Sequence, residues 1–220
     1  GYSNTTGALN VAIGNVSLRS NTTGGSLVAV GHDSLNSNST GNYSTAIGTG
    51  ALAYNTTASN NTAVGYQSLY TNTTGTLSTA IGSGALTANT TGNENTAVGQ
   101  ISLTANTTGS SNTAFGRASL YANTTASYNS AYGTDSLQVN TTGGSNTAVG
   151  FRSLFANTTA SNNTAVGYQA AYANTTGSRN VAIGDVALQL NTTASRNVAI
   201  GRSALQNLNT TGDTYNVAVG

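Results

Sequence analysis

Thirteen asparagines in this 220-residue chain each open an Asn-Thr-Thr or Asn-Ser-Thr triplet, and their amides are the first chemistry the sequence offers. They are Asn4, Asn21, Asn38, Asn55, Asn72, Asn89, Asn106, Asn123, Asn140, Asn157, Asn174, Asn191 and Asn209. Asn38 is followed by Ser39-Thr40, the others by Thr-Thr. Asn-x-Thr without a central proline is the acceptor pattern for N-linked glycans, so all thirteen are candidate N-glycosylation sites. The same amide has a competing use. Stacked at a fixed repeat, asparagines hydrogen-bond from layer to layer as in cross-β structures, or they satisfy a turn. One side chain cannot do both. A second series (Asn61, Asn95, Asn112 and their equivalents) lacks the sequon and reads as structural.

The other reactive groups do not assemble into a site. His32 is the sole histidine and sits beside Asp33 with no partner recurring near it, which suits a solvated loop. Asp33 and Asp135 share a repeat position but lie six repeats apart, so no pair of carboxylates for acid–base work is expected. Serines are many, yet none has a base partner. There is no cysteine, hence no disulfide frame and no Cys-containing zinc site. Neither a phosphate-binding loop nor a glycine–aspartate calcium repeat occurs. No catalytic residue, cofactor or metal is expected, and the chain does not read as an enzyme. Adjacent threonines such as Thr73 and Thr74 should point to opposite faces of a strand, so a flat ice-binding array is not evident from them. Tyr66, Tyr70, Phe151, Phe155, Tyr168 and Tyr172 could stack on sugars or cover neighbouring coils.

What must position these groups is a repeat of 17 residues. An Ala-apolar-Gly step recurs at Gly14, Gly31, Gly48, Gly65 and onward to Gly201, always 17 apart, with a last spacing of 19 to Gly220. Four residues after the glycine comes leucine, replaced only by Ala171 in the series from Leu18 to Leu205. So short a period excludes helix–turn–helix repeats, which need over thirty residues. Glycine, asparagine and paired threonines in every period disfavour helix as well. The expected fold is all-β: a parallel β-solenoid, or β-roll, of 17-residue coils with two short strands per coil. Asn-Thr-Ala-Val-Gly would give one strand and Ser-Leu-x-x-Asn-Thr-Thr the other. Residues 1–220 should form a single array of about thirteen coils, part of a longer chain. The Val/Ile face is expected to fill the coil with the leucine, though the opposite assignment fits the alternation equally. The residue after each leucine, such as Tyr70 or Gln138, should be exposed.

Charge is sparse: 5% of residues, a net of +1, and no lysine. That gives no footprint for nucleic acid or a membrane surface, and no apolar run approaches the roughly 20 residues of a membrane helix. The few charges do test the register. Asp135 and Arg152 are 17 apart, as are Asp185 and Arg202, so stacking should bring each pair together as exposed ion pairs. Arg179 and Arg196 share a position too and should splay into water.

Asn180-Val181-Ala182-Ile183-Gly184, followed by Ala187-Leu188, resembles the head repeats of trimeric autotransporter adhesins. The period also resembles shaft repeats of phage tail fibres that carry a C-terminal chaperone domain. The resemblance implies a left-handed β-roll wound by three chains. The sequence departs from the adhesin head in its longer coil and its Asn-Thr-Thr, and no neck, coiled-coil stalk or membrane anchor occurs in these residues. The expected function is structural: an extracellular fibre or filament segment, serving as spacer or adhesive shaft, with a glycan coat. The alternative is a receptor- or carbohydrate-binding phage tail fibre, or an ice-binding solenoid. Expected partners are copies of the chain, as a homo-oligomer (a trimer by resemblance) or a head-to-tail polymer, together with glycans or a cell-surface ligand. The expected location is extracellular, or the surface of a cell or virion.

Overall fold

The computed structural model describes residues 3–208 and 210–220. No helix occurs among them. The chain forms two compact units, Gly1–Ser111 and Asn112–Gly220, built on the same plan. The first holds strands β1 (Val11–Ile13), β2 (Val28–Val30), β3 (Thr45–Ile47), β4 (Thr62–Val64), β5 (Thr79–Ile81) and β6 (Thr96–Val98). The second holds β7 (Thr113–Phe115), β8 (Ser130–Tyr132), β9 (Thr147–Val149), β10 (Thr164–Val166), β11 (Val181–Ile183), β12 (Val198–Ile200) and β13 (Val217–Val219). Within each unit every strand pairs in parallel with the next one in sequence. The register is one full period, as in Ala46↔Ala63↔Ala80 and Ala131↔Ala148↔Ala165. Each unit is therefore a parallel β-solenoid with 17-residue coils. The longer final period is absorbed between β12 and β13, where Val198 pairs with Val217.

Each coil has one strand, not two. The Ser-Leu-x-x-Asn-Thr-Thr stretch is a chain of turns, because its leucine and the residue just before its serine adopt left-handed backbone: Leu69 (φ 49°) and Gln67 (φ 51°) in one coil, Leu137 (49°) and Asp135 (58°) in another. Left-handed leucine costs roughly 1–2 kcal/mol. It persists because the turns remain hydrogen-bonded to the neighbouring coils. Leu69 N–H donates to the Ala85 carbonyl at 3.0 Å, Thr71 to Thr87 at 3.1 Å, and Gln67 to Thr49 of the preceding coil at 2.9 Å. The ladder that defines a sheet thus continues around the corner without strand geometry. The hydroxyl of Ser68 closes the turn by donating to the Gly65 carbonyl at 3.1 Å.

The strand faces are also the reverse of the Val/Ile-inward expectation. Alanine points in: Ala29, Ala46, Ala63, Ala80 and Ala97 are each 0% exposed. Val64 is half-buried on the outside and Ile47, Ile81 and Ile183 are exposed. The interior is narrow, since the leucine row and two rows of asparagine amides are buried in it as well, and a methyl group fills what is left. Leu69 and its equivalents from Leu18 to Leu188 are buried, as the spacing predicts, and Leu205 in the last coil is half-buried. The residue after the leucine is exposed at Arg19 and Tyr121 but half-buried in most coils, because it leans on its neighbours: Tyr70 against Tyr54, Gln138 on Asp135, Gln189 on Gln169.

This arrangement sets the expected cost of truncation. Leu86→Ala inside the first unit should lose about 2–5 kcal/mol, the range for a leucine removed from a packed core. Gln138→Ala should lose under about 1 kcal/mol, since it gives up one long hydrogen bond of 3.3 Å at a half-buried site. Chemical denaturation of the two variants measures the difference; equal midpoints would mean that the leucine row does not carry the core.

Candidate functional site

The sequon asparagines form a ladder inside each unit. Asn72 Nδ2–H donates to Asn55 Oδ1 of the coil before it at 3.1 Å and to the Gly75 carbonyl at 2.9 Å. Its own Oδ1 accepts from Asn89 Nδ2 at 2.8 Å. The same three bonds recur around Asn38 and Asn55 in the first unit and around Asn157 and Asn174 in the second. From Asn21 to Asn191 these side chains are buried; Asn4 is exposed, and Asn209 lies outside the described residues. Of the two uses open to the amide, the ladder is the one present. A glycan would attach at Nδ2, which has both hydrogens donated and faces inward, so a folded coil offers the buried asparagines no route to an N-linked sugar.

The second asparagine series is inward as well. Asn61 Nδ2 donates to the Gly75 carbonyl at 2.8 Å, and its Oδ1 accepts from the Ser78 backbone N–H at 2.9 Å. The two series meet at Gly75, whose carbonyl accepts from both Asn61 and Asn72. That shared acceptor explains why both rows sit in nearly every period. The first threonine of Asn-Thr-Thr makes a third row, with the Thr73 hydroxyl donating to the Thr90 carbonyl at 3.1 Å. The second threonine, Thr74, is exposed.

The charges confirm the stacking. Arg152 Nε lies 3.4 Å from Asp135 Oδ2, and Arg202 Nε lies 3.4 Å from Asp185 Oδ2. The second pair is open to water, as expected. Asp135 is not: its side chain is 8% exposed, held between Arg152 and Arg117, whose Nη1 is 3.5 Å from Oδ1. Arg117 was not legible as a partner because it sits 18 residues away, one step off register. Arg196 bonds Asp213 and Tyr215 of the longer final coil, and Arg179 is exposed. His32 is exposed. Among the described residues no cluster of histidine and acid side chains could hold a metal ion.

The aromatic residues lie on one another across coils. Phe151 stacks on Tyr168 (5.6 Å between centroids, 17° between planes) and Phe155 on Tyr172 (5.2 Å, 9°). The Arg152 guanidinium lies 5.0 Å from the Phe151 centroid and 5.3 Å from that of Phe155. Stacked pairs have faces turned to protein, and faces are what a sugar ring would need. In the first unit Tyr54 meets Tyr70 edge-on at 5.0 Å. A hydrogen bond with Tyr54, aided by burial, holds the Tyr70 phenol above its ordinary pKa. Tyr66 remains exposed. A recess of about 160 Å³ among Asn4, Asn10, Ala12, Leu18 and Asn21 is lined by the inner rows of the first coils and brings no new chemistry together.

No helix among the described residues is long and apolar enough to cross a membrane. No family model, curated protein or solved structure matches the chain.

Proposed function

We propose that the chain is a structural segment of an extracellular fibre, a spacer or adhesive shaft that associates with copies of itself. The observation that carries this reading is the direction of its polar chemistry. Amides, first-threonine hydroxyls and carbonyls all bond to the adjacent coil, so the sequence is devoted to propagating one layer onto the next. A repeat of this kind gains stability only through its neighbours.

The sheet supports self-association. Parallel sheets ordinarily have both faces covered. Here the inner face meets the leucine and amide rows, while the outer face presents Ile13 (60% exposed), Ile47 (40%) and Ile81 (41%) in the first unit and Ile183 (38%) and Ile200 (37%) in the second. Between them stand Val and Thr side chains with no charge on the strands themselves. A row of β-branched groups repeating at about 4.8 Å matches the same row on another copy.

Electron microscopy of the native material tests the fibre: unbranched filaments containing this chain support it, and a dispersed globular monomer ends it. Ile47→Lys with Ile81→Lys tests the face separately. The variant should keep its β spectrum and lose mass in sedimentation. An unchanged mass would move the contact elsewhere and leave the fibre reading standing.

A further inference from the structure

Thirteen copies of one coil act as thirteen trials of each position, so a position that never changes needs a reason. Most invariant positions have one inside the fold. The glycine of the Gly65 row has a left-handed backbone, the alanine of the Ala63 row faces a narrow interior, and the asparagine of the Asn72 row makes the ladder. One position has none. The second threonine of Asn-Thr-Thr is threonine in every period from Thr6 to Thr211. It is exposed in all of them except Thr193, which is half-buried.

Other outward rows vary freely. The Thr62 row admits Val11 and Ser130, the Tyr66 row admits Arg117 and Asp185, and the Leu77 row admits Glu94 and Arg179. Even the first threonine, with its hydroxyl bonded to the next coil, is replaced by Ser39, which makes the same bond at 3.0 Å. At Thr74 the fold uses only the backbone, whose N–H reaches the Thr90 carbonyl at 3.2 Å. Serine or valine would serve that equally well. Thr23, Thr40, Thr57, Thr74, Thr91 and Thr142 are exposed, and their hydroxyls have no protein partner.

We propose that this row is the attachment site of O-linked sugars, one small saccharide on each coil whose threonine is exposed; the Thr193 hydroxyl is buried and is left out. The sequon explanation for the same threonine fails on the asparagine: the amide it would serve is buried and doubly bonded. The hydroxyl itself is the free group. In the transfer, Thr Oγ1 attacks the anomeric carbon of a nucleoside-diphosphate-activated sugar. The bond from that carbon to the phosphate oxygen breaks, the nucleoside diphosphate leaves, and a base of the glycosyltransferase takes the hydroxyl proton. No redox partner is needed. Attachment points about 4.8 Å apart admit a slim chain at each coil and leave no room for a branched core. The proposal stands on the repeat and not on the fibre reading, which microscopy tests independently.

The test is site mapping on the chain purified from its native source, by mass spectrometry with electron-transfer fragmentation, before and after alkaline β-elimination. The expected result is sugar mass on the Thr74 row, released by alkali with loss of water from those threonines, and unaffected by an N-glycosidase. In the native host, Thr74→Val should lose the increment from that coil alone and Thr74→Ser should retain it. Sugar released from the Asn72 row by the N-glycosidase would overturn the proposal. So would a native chain whose mass equals that of its residues.

Discussion

Asn72→Ala should cost about 2–6 kcal/mol, on the basis that each buried polar group left without a partner costs about 1–3 kcal/mol. Two groups lose a partner at once: Asn55 Oδ1 loses its donor, and one N–H of Asn89 Nδ2 loses its acceptor while the other stays on the Gly92 carbonyl. The Gly75 carbonyl keeps Asn61. None can turn to water, because the column is closed above and below. Asn72→Asp keeps the shape and should also be damaging at neutral pH. Its carboxylate would face the Asn55 oxygen with no proton to donate. Burial raises the pKa of such a group. With its folded pKa above the unfolded value, the variant should regain stability as pH falls through that folded pKa. Hydrogen exchange at the Thr71 and Thr73 amides reads the local loss. Wild-type protection in Asn72→Ala would show that the amide column is a passenger of the backbone ladder.

Gly65→Ala should be worse than Gly75→Ala, although a static picture ranks them alike. A methyl built on Gly65 lies 2.6 Å from the Gly82 carbonyl oxygen; on Gly75 it lies 2.4 Å from that of Gly92. Both distances demand movement. The sequence shows that the second is accommodated, because Ala58, Ala126, Ala160 and Ala194 occupy the Gly75 position and are buried there. No alanine stands in the Gly65 row. The separating variable is the backbone: Gly65 has φ +133°, a conformation that side-chain-bearing residues rarely adopt, and Gly75 lies outside it. Backbone strain of about 1–3 kcal/mol then adds to the displaced carbonyl. Gly65→Ala should open the coil between β4 and β5, with protection lost at the Gly82 amide, which bonds the Val64 carbonyl at 2.8 Å. Gly75→Ala should melt close to the wild type. Equal melting of the two would mean that φ is not the constraint.

The fold class was legible because its signal is register, which composition does not blur. Leucine every 17 residues and acid–base matches at the same spacing leave one arrangement of neighbours. Two features were not legible, for different reasons. The turn at Leu69 carries no glycine or asparagine to announce its left-handed backbone. Bonds to Ala85 and Thr87, from a different coil, impose it, and local propensity yields to them. The sense of the strand was undecidable because Thr62-Ala63-Val64 alternates equally well either way. Only the room inside the coil chooses, and the buried leucine and amide rows leave little of it. The candidate site divides along the same line. Sequence marked Asn72 and Thr74 together as one motif, whereas the structure sends one inward and the other to solvent.

The coil-to-coil hydrogen bonds have a mechanical consequence. They point along the direction in which coils succeed one another, so a pull in that direction loads them head-on and not in shear. Bonds loaded this way break in sequence, one coil opening while the next still holds. Each opened coil frees 17 residues, about 55–60 Å of slack at full extension. Within either unit the stack behaves as a tether with a built-in reserve of length, yielding stepwise under load where a shear-loaded sheet would resist and then rupture.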